Sequence, residues 1–144
     1  MEGAVGGAVT AAVAFLLSRF AKDIAGRAFL VILLFTAAGA YFGFAVVGQA
    51  GLLWLLIELS HIIGFGVMGL LGLRGSPYWI AAGWALHPVW DIALHYIGPG
   101  KAFAPQPYAI ACASFDWVVA AFVVLAYGLI GPHRLGFRGI TPMM

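Results

Sequence analysis

Long apolar runs, separated by short breaks, dominate this chain. The runs at 4–20, 28–47, 51–73, 77–97 and 108–131 fall in the range of about 17–25 residues that a helix needs to cross the hydrocarbon core of a bilayer. The breaks "SRFAKDIAGR", "GQAG", "LRGSP" and "GPGKAFAPQP" carry charge, or the Gly and Pro that end helices. The pattern predicts an all-α polytopic membrane protein with five transmembrane helices, forming a single helical domain over residues 1–144. Glu2, rather than a basic stretch, precedes the first run. That argues for a true first span and against a cleaved secretory signal.

Composition supports this expectation. The chain is 64% hydrophobic and 8% charged, whereas about a quarter of residues in soluble domains are charged, and mean hydropathy is +1.05. A water-soluble fold of 144 residues could not hide that much apolar surface, because small domains leave much of their area in solvent.

The basic residues predict an orientation. Arg19, Lys22 and Arg27 lie between the first and second runs, Arg74 between the third and fourth, and Arg134 and Arg138 in the tail. Five spans place these on one side and Lys101 on the other. Short loops rich in Lys and Arg remain cytoplasmic, so the N-terminus is expected outside and the C-terminus in the cytoplasm. Topology thus accounts for the positive residues, and nucleic acid is not an expected partner. Cys112 is the lone cysteine and has no partner for a disulfide within the chain.

Against this background one segment stands out. "HPVWDIALH", residues 87 to 95, places His87, Asp91 and His95 four residues apart, a spacing that forms one stripe on a helix at about 100° per residue. Glu58 and His61 in the third run share a face at i and i+3, and Asp116 lies in the fifth. Counted from the outer ends, Glu58 and Asp91 lie roughly 10 Å deep, and His61, His87 and Asp116 roughly 15 Å. Three helices therefore bring ionisable groups to one layer, with no Lys or Arg to pair with them. Ser60 and Ser114 add neighbouring hydroxyls, and Pro88 removes a helix hydrogen bond and displaces the Trp84 carbonyl beside His87.

Imidazole and carboxylate together form the ligand set of zinc, and of iron or manganese where carboxylates are numerous. The expected ligands are His61, His87 and Asp91. Glu58 or Asp116 would be the fourth ligand or the general base, and His95 a gate or outer ligand. A divalent metal would neutralise the buried acids and supply a nucleophile from bound water. Ionisable groups inside membranes are functional by default, which favours such a site over side chains that only hold helices together.

The remaining features are structural. The glycines of "GFGVMGLLG" (64, 66, 69 and 72), with Gly39 and Gly43, suit close helix packing or a homodimer. Tyr78, Trp79, Tyr96 and Tyr108 fall at expected interfaces, and Trp84, Trp90 and Trp117 lie deeper, where they could wall the site. No P-loop, dinucleotide fingerprint or nucleophile elbow is present.

The run "GWALHPVWDIALHY", followed by "CASFDWVVAAF", resembles a family of small bacterial integral-membrane proteins of unknown function, which carry a His-Pro-x-Trp-Asp-x3-His helix and a later Asp. The resemblance implies the bacterial inner membrane and supplies no activity. Membrane hydrolases of the alkaline ceramidase and adiponectin receptor type are similar in chemistry alone, their zinc site using His, Asp and Ser from several helices. Two functions are therefore expected: a metal-dependent membrane enzyme, hydrolase or oxidase, acting on a lipid-like substrate, or a divalent-cation transporter or proton relay, in which five helices favour a dimer.

Overall fold

The computed structural model describes residues 2–20 and 23–128. Among the described residues the chain forms five α-helices: α1 (Glu2–Phe20), α2 (Asp23–Val47), α3 (Leu52–Arg74), α4 (Tyr78–Trp90) and α5 (Gln106–Gly128). A π-helical segment, Asp91–Ile97, continues α4, and a 3-10 turn, Pro99–Ala102, leads toward α5. Three helical stretches are long and apolar enough to cross a membrane: Ile24–Val47, Leu52–Arg74 and Gln106–Ala126. Lys22, Arg134 and Arg138, on which part of the expected orientation rests, lie outside the described residues, as does the Arg19 side chain.

Short connections make neighbouring helices antiparallel. Between α2 and α3 the "GQAG" turn closes as a Schellman motif: the Ala50 N–H reaches the Ala45 carbonyl at 2.9 Å and the Gln49 N–H that of Val46 at 3.2 Å. Gln49 takes φ 50° there, and Gly51 takes φ 88°, a conformation natural to glycine. At the opposite end Arg27 Nη1 donates to the Gly75 carbonyl at 3.1 Å, tying the start of α2 to the loop after α3. Arg27 and Arg74 thus occupy the same end, and Lys101 the other.

Each helix buries one stripe. On α2 it runs Leu30, Leu34, Ala38, Tyr41, Ala45, the three- and four-residue steps of a single helical face. On α3 it runs Glu58, His61, Phe65, Gly69, Gly72. α4 contributes Ile80, Trp84, His87 and Pro88, and α5 contributes Ala109, Ala113, Asp116, Val119 and Val123. The four stripes meet in an interior divided along its length. Toward the Arg27 end lies an aliphatic and aromatic core of Leu30, Leu34, Phe65, Ile80, Trp84, Val119 and Val123, and toward the Lys101 end lie the ionisable groups. α1 packs along α5, with Gly7 against the Ala111 backbone.

The outer surface is the inverse of a soluble protein's. Val47, Leu52, Leu53, Ile32 and Ile97 are among many large apolar side chains more than half exposed, while the buried polar or charged residues among those described are Glu58, His61, His87, Asp91, His95 and Asp116. Continuous apolar surface of this extent is foreign to water-exposed monomers.

The fourth apolar run, expected as one helix, changes character within its length. Pro88 offers no N–H and crowds the preceding turn. At Asp91 the backbone N–H is shared between the His87 and Pro88 carbonyls, and the ladder widens into the π form through Ile97. Such segments are rare and concentrate at functional sites. This one carries Asp91 and His95.

Candidate metal centre

The polar faces of α3, α4 with its π-helical extension, and α5 converge. His87 Nδ1 lies 2.8 Å from Asp116 Oδ2, a buried hydrogen bond between α4 and α5, and 3.3 Å from Asp91 Oδ2. On α3, His61 Nδ1 lies 3.5 Å from Glu58 Oε2. The other oxygen of the same carboxylate, Glu58 Oε1, lies 3.3 Å from His95 Nε2. All six side chains are shut away from the surface: His61 is 2% exposed and the other five 0%.

Aromatic rings wall the site. Trp90 stacks on His61 at 4.7 Å with an interplanar angle of 7°, and the His61 and His87 rings lie 5.0 Å apart at 26°. Phe65 meets both imidazoles edge-on. Tyr41 of α2, which the sequence reading passed over, stacks on His95 at 4.0 Å and 16° and is fully buried. Its signal was available: a phenol inside an apolar run, about as far from the "GQAG" turn as Glu58 is on the other side. Tyr108, expected at an interface, also turns inward and meets Tyr41 and Phe44 edge-on.

Other expected neighbours point elsewhere. The Ser60 hydroxyl bonds to the Ile57 carbonyl and that of Ser114 to the Ile110 carbonyl, both on exposed faces. Trp117 is half exposed and walls nothing. Helical geometry explains all three, since one residue from His61 or Asp116 is a turn of about 100°, and two residues about 200°.

The donor set fits a metal ion. His61, His87 and Asp91 can each offer a ligand atom with all three atoms within 4.8 Å of one another. In the neutral tautomer in which His87 Nδ1 donates to Asp116, Nε2 is left with a lone pair, and no hydrogen bond reaches that atom. Both nitrogens of His61 and both oxygens of Asp91 are likewise buried without a hydrogen bond. Buried polar atoms are nearly always satisfied, and an imidazole held by a carboxylate through its other nitrogen is the usual arrangement around a ligating histidine.

Over residues 2–129 the sequence matches DUF6010, described as a family of unknown function. The chain belongs to this family. The "HPVWDIALH" helix and Asp116, which carried the resemblance, both fall inside the stretch that matches DUF6010. No curated protein and no solved structure matches the chain, so no relative lends this DUF6010 chain a named activity.

Proposed function

We propose that this is a five-span protein of the bacterial plasma membrane and a metal-dependent enzyme, with zinc favoured over iron or manganese and a lipid-like substrate. The N-terminus would face outward and the C-terminus the cytoplasm, from the distribution of Lys and Arg. The observation that carries the metal is the trio His61, His87 and Asp91, fully enclosed, each able to offer a ligand atom within 4.8 Å of the other two, with the His87–Asp116 hydrogen bond at 2.8 Å holding one imidazole in place. Bonds of about 2.0–2.2 Å around one ion bring ligand atoms to roughly 3.3–3.5 Å from each other, so the group closes modestly on loading.

In this role His61, His87 and Asp91 are ligands and Glu58 the fourth. Asp116 Oδ2 orients His87, while its other oxygen, Oδ1, is buried without a partner and is available as a general base. A bound ion would supply Lewis acidity and a water of lowered pKa. The trio Phe65, Trp90 and Tyr41 keeps bulk water from the site. Zinc fits imidazole with carboxylate and would support hydrolysis of a lipid ester or amide, whereas iron would support oxidation.

The complete closure of the six side chains also suits an ion that enters and leaves only on conformational change, as in a divalent-cation transporter or proton relay. The two are separated by incubating the metal-loaded protein with a total bacterial lipid extract and resolving products by mass spectrometry, beside ion flux in proteoliposomes. Products that vanish in Asp116→Asn support the enzyme. Flux without products supports transport and overturns the enzyme.

A further inference from the structure

The apolar outer surface carries one deep groove, on the seam between α4 and α5. It has a volume of about 520 Å³ and is lined by Ala81, Ala82 and Ala85 of α4 and by Ala120 and Ala121 of α5, with Tyr78 at one end. Ala81 and Ala120 are buried at its floor. Five methyl groups where neighbouring positions carry Leu or Val leave room for a foreign chain, in a volume within the range of about 300–1,000 Å³ usual for small-molecule sites.

The groove spans less than one leaflet. From Tyr78 to Ala85 is about 10 Å of helix at 1.5 Å per residue, two-thirds of the roughly 15 Å depth of a leaflet's hydrocarbon. One turn beyond Ala85 the same face of α4 carries Val89, large and exposed, which closes the groove toward mid-membrane. A helix of a second copy, crossing the whole bilayer, would run onto Val89. A hydrocarbon chain that enters from the interface and ends inside the membrane does not.

The open end carries positive charge. Tyr78 places an exposed phenol there, as interfacial aromatics do, and Arg74 lies four residues before it across the α3–α4 loop. Arg74 is exposed and makes no hydrogen bond or ion pair with the described residues. Arg27 occupies the same end, tied to the Gly75 carbonyl, and Asp23 at the start of α2 is the one acid beside them. Basic side chains at the mouth of a gap between membrane helices recognise anionic lipid headgroups, while close packing of the chain in the gap supplies the rest of the contact.

We propose that the α4–α5 groove binds an anionic phospholipid, one acyl chain lying along the five alanines and the phosphate meeting Arg74 at the mouth. The site is separate from the histidine and carboxylate cluster and does not depend on a metal there.

The test is native mass spectrometry of delipidated protein in detergent, titrated with dioleoyl phosphatidylglycerol or with dioleoyl phosphatidylcholine. Wild type should retain one phosphatidylglycerol per chain, at least about fivefold more tightly than phosphatidylcholine, the discrimination that one basic residue near a headgroup provides. Arg74→Gln should abolish that preference. Ala121→Trp, which fills the groove, should lose the lipid while circular dichroism shows an unchanged helical fold. Equal retention of the two lipids by wild type overturns the proposal, as does a preference undiminished in Arg74→Gln. Phosphatidylglycerol retained in full by Ala121→Trp also overturns it, since the lipid would then lie elsewhere. A wild-type dimer that binds no lipid and becomes monomeric in Ala121→Trp would give the groove to a second copy instead. Wild type and Arg74→Gln decide even where Ala121→Trp fails to fold.

Discussion

Asp116 on α5 and His87 on α4 share the hydrogen bond that joins their two helices at the site, Oδ2 to Nδ1 at 2.8 Å. Twenty-nine residues of chain separate them, and the bond fixes the orientation of the imidazole ring. An oriented imidazole is the difference between a buried polar patch and a ligand.

Replacing Asp116 by Asn therefore keeps the shape and weakens the hold. Metal affinity should fall about 10–100-fold, as for other partners of ligating histidines, and turnover should be lost with the base. Competition against a chelating dye reads the affinity. An unchanged affinity would show that the bond does not orient a ligand.

Tyr41 acts through its ring. Tyr41→Phe should keep the stack on His95 and a melting temperature within a degree or two of wild type, whereas Tyr41→Ala opens a cavity beside His95 at a cost of about 3–5 kcal/mol, as for other large aromatic deletions. Thermal unfolding in detergent, followed by circular dichroism, compares the two. Equal loss in both variants would assign the role to the hydroxyl instead.

The glycines separate into packed and open positions. A Cβ on Gly72 would strike Ile80, and one on Gly69 would stand 2.6 Å from Val31 Cγ1, while Gly39, Gly43 and Gly64 have nothing within 4 Å. Gly72→Leu should destabilise by about 1–3 kcal/mol or more through overpacking, and Gly43→Leu should leave the monomer's melting temperature unchanged. Should Gly43→Leu shift a dimer to monomer on size exclusion, the open α2 face is a contact between copies.

Orientation is testable at single cysteines in a Cys112→Ser background. Lys101→Cys should react with a membrane-impermeant maleimide added to intact cells, and Ser76→Cys only after lysis. The reverse pattern would invert the topology.

Much of this organisation is legible in the chain because the physics is local. Helix ends at "GQAG" and "LRGSP" follow from turn residues, and the i, i+3 and i, i+4 spacings place Glu58 with His61 and His87 with Asp91 whatever the tertiary fold. Equal depth on antiparallel helices then allows the faces to meet. Four things escaped. The π-helical segment depends on how the ladder re-forms after Pro88, which composition does not record. Tyr41 looks like one more aromatic in an apolar run until α2 packs against His95. Ser60, Ser114 and Trp117 were grouped with the site by proximity in sequence, although the same helical arithmetic turns them outward. The division of Glu58 between His61 and His95 needed three-dimensional distances, since residue counting puts His95 nearer the outer interface than Glu58 and His61.

The central claim is that His61, His87 and Asp91 hold a metal. Elemental mass spectrometry on detergent-purified protein, comparing wild type with His87→Ala and Asp91→Ala, tests it most directly. At least one zinc, iron or manganese per chain in wild type, lost in both variants, is the predicted result. Protein that is folded and monodisperse, yet holds no metal in any of the three preparations even after loading, would contradict it and reduce the cluster to a polar network or a proton path.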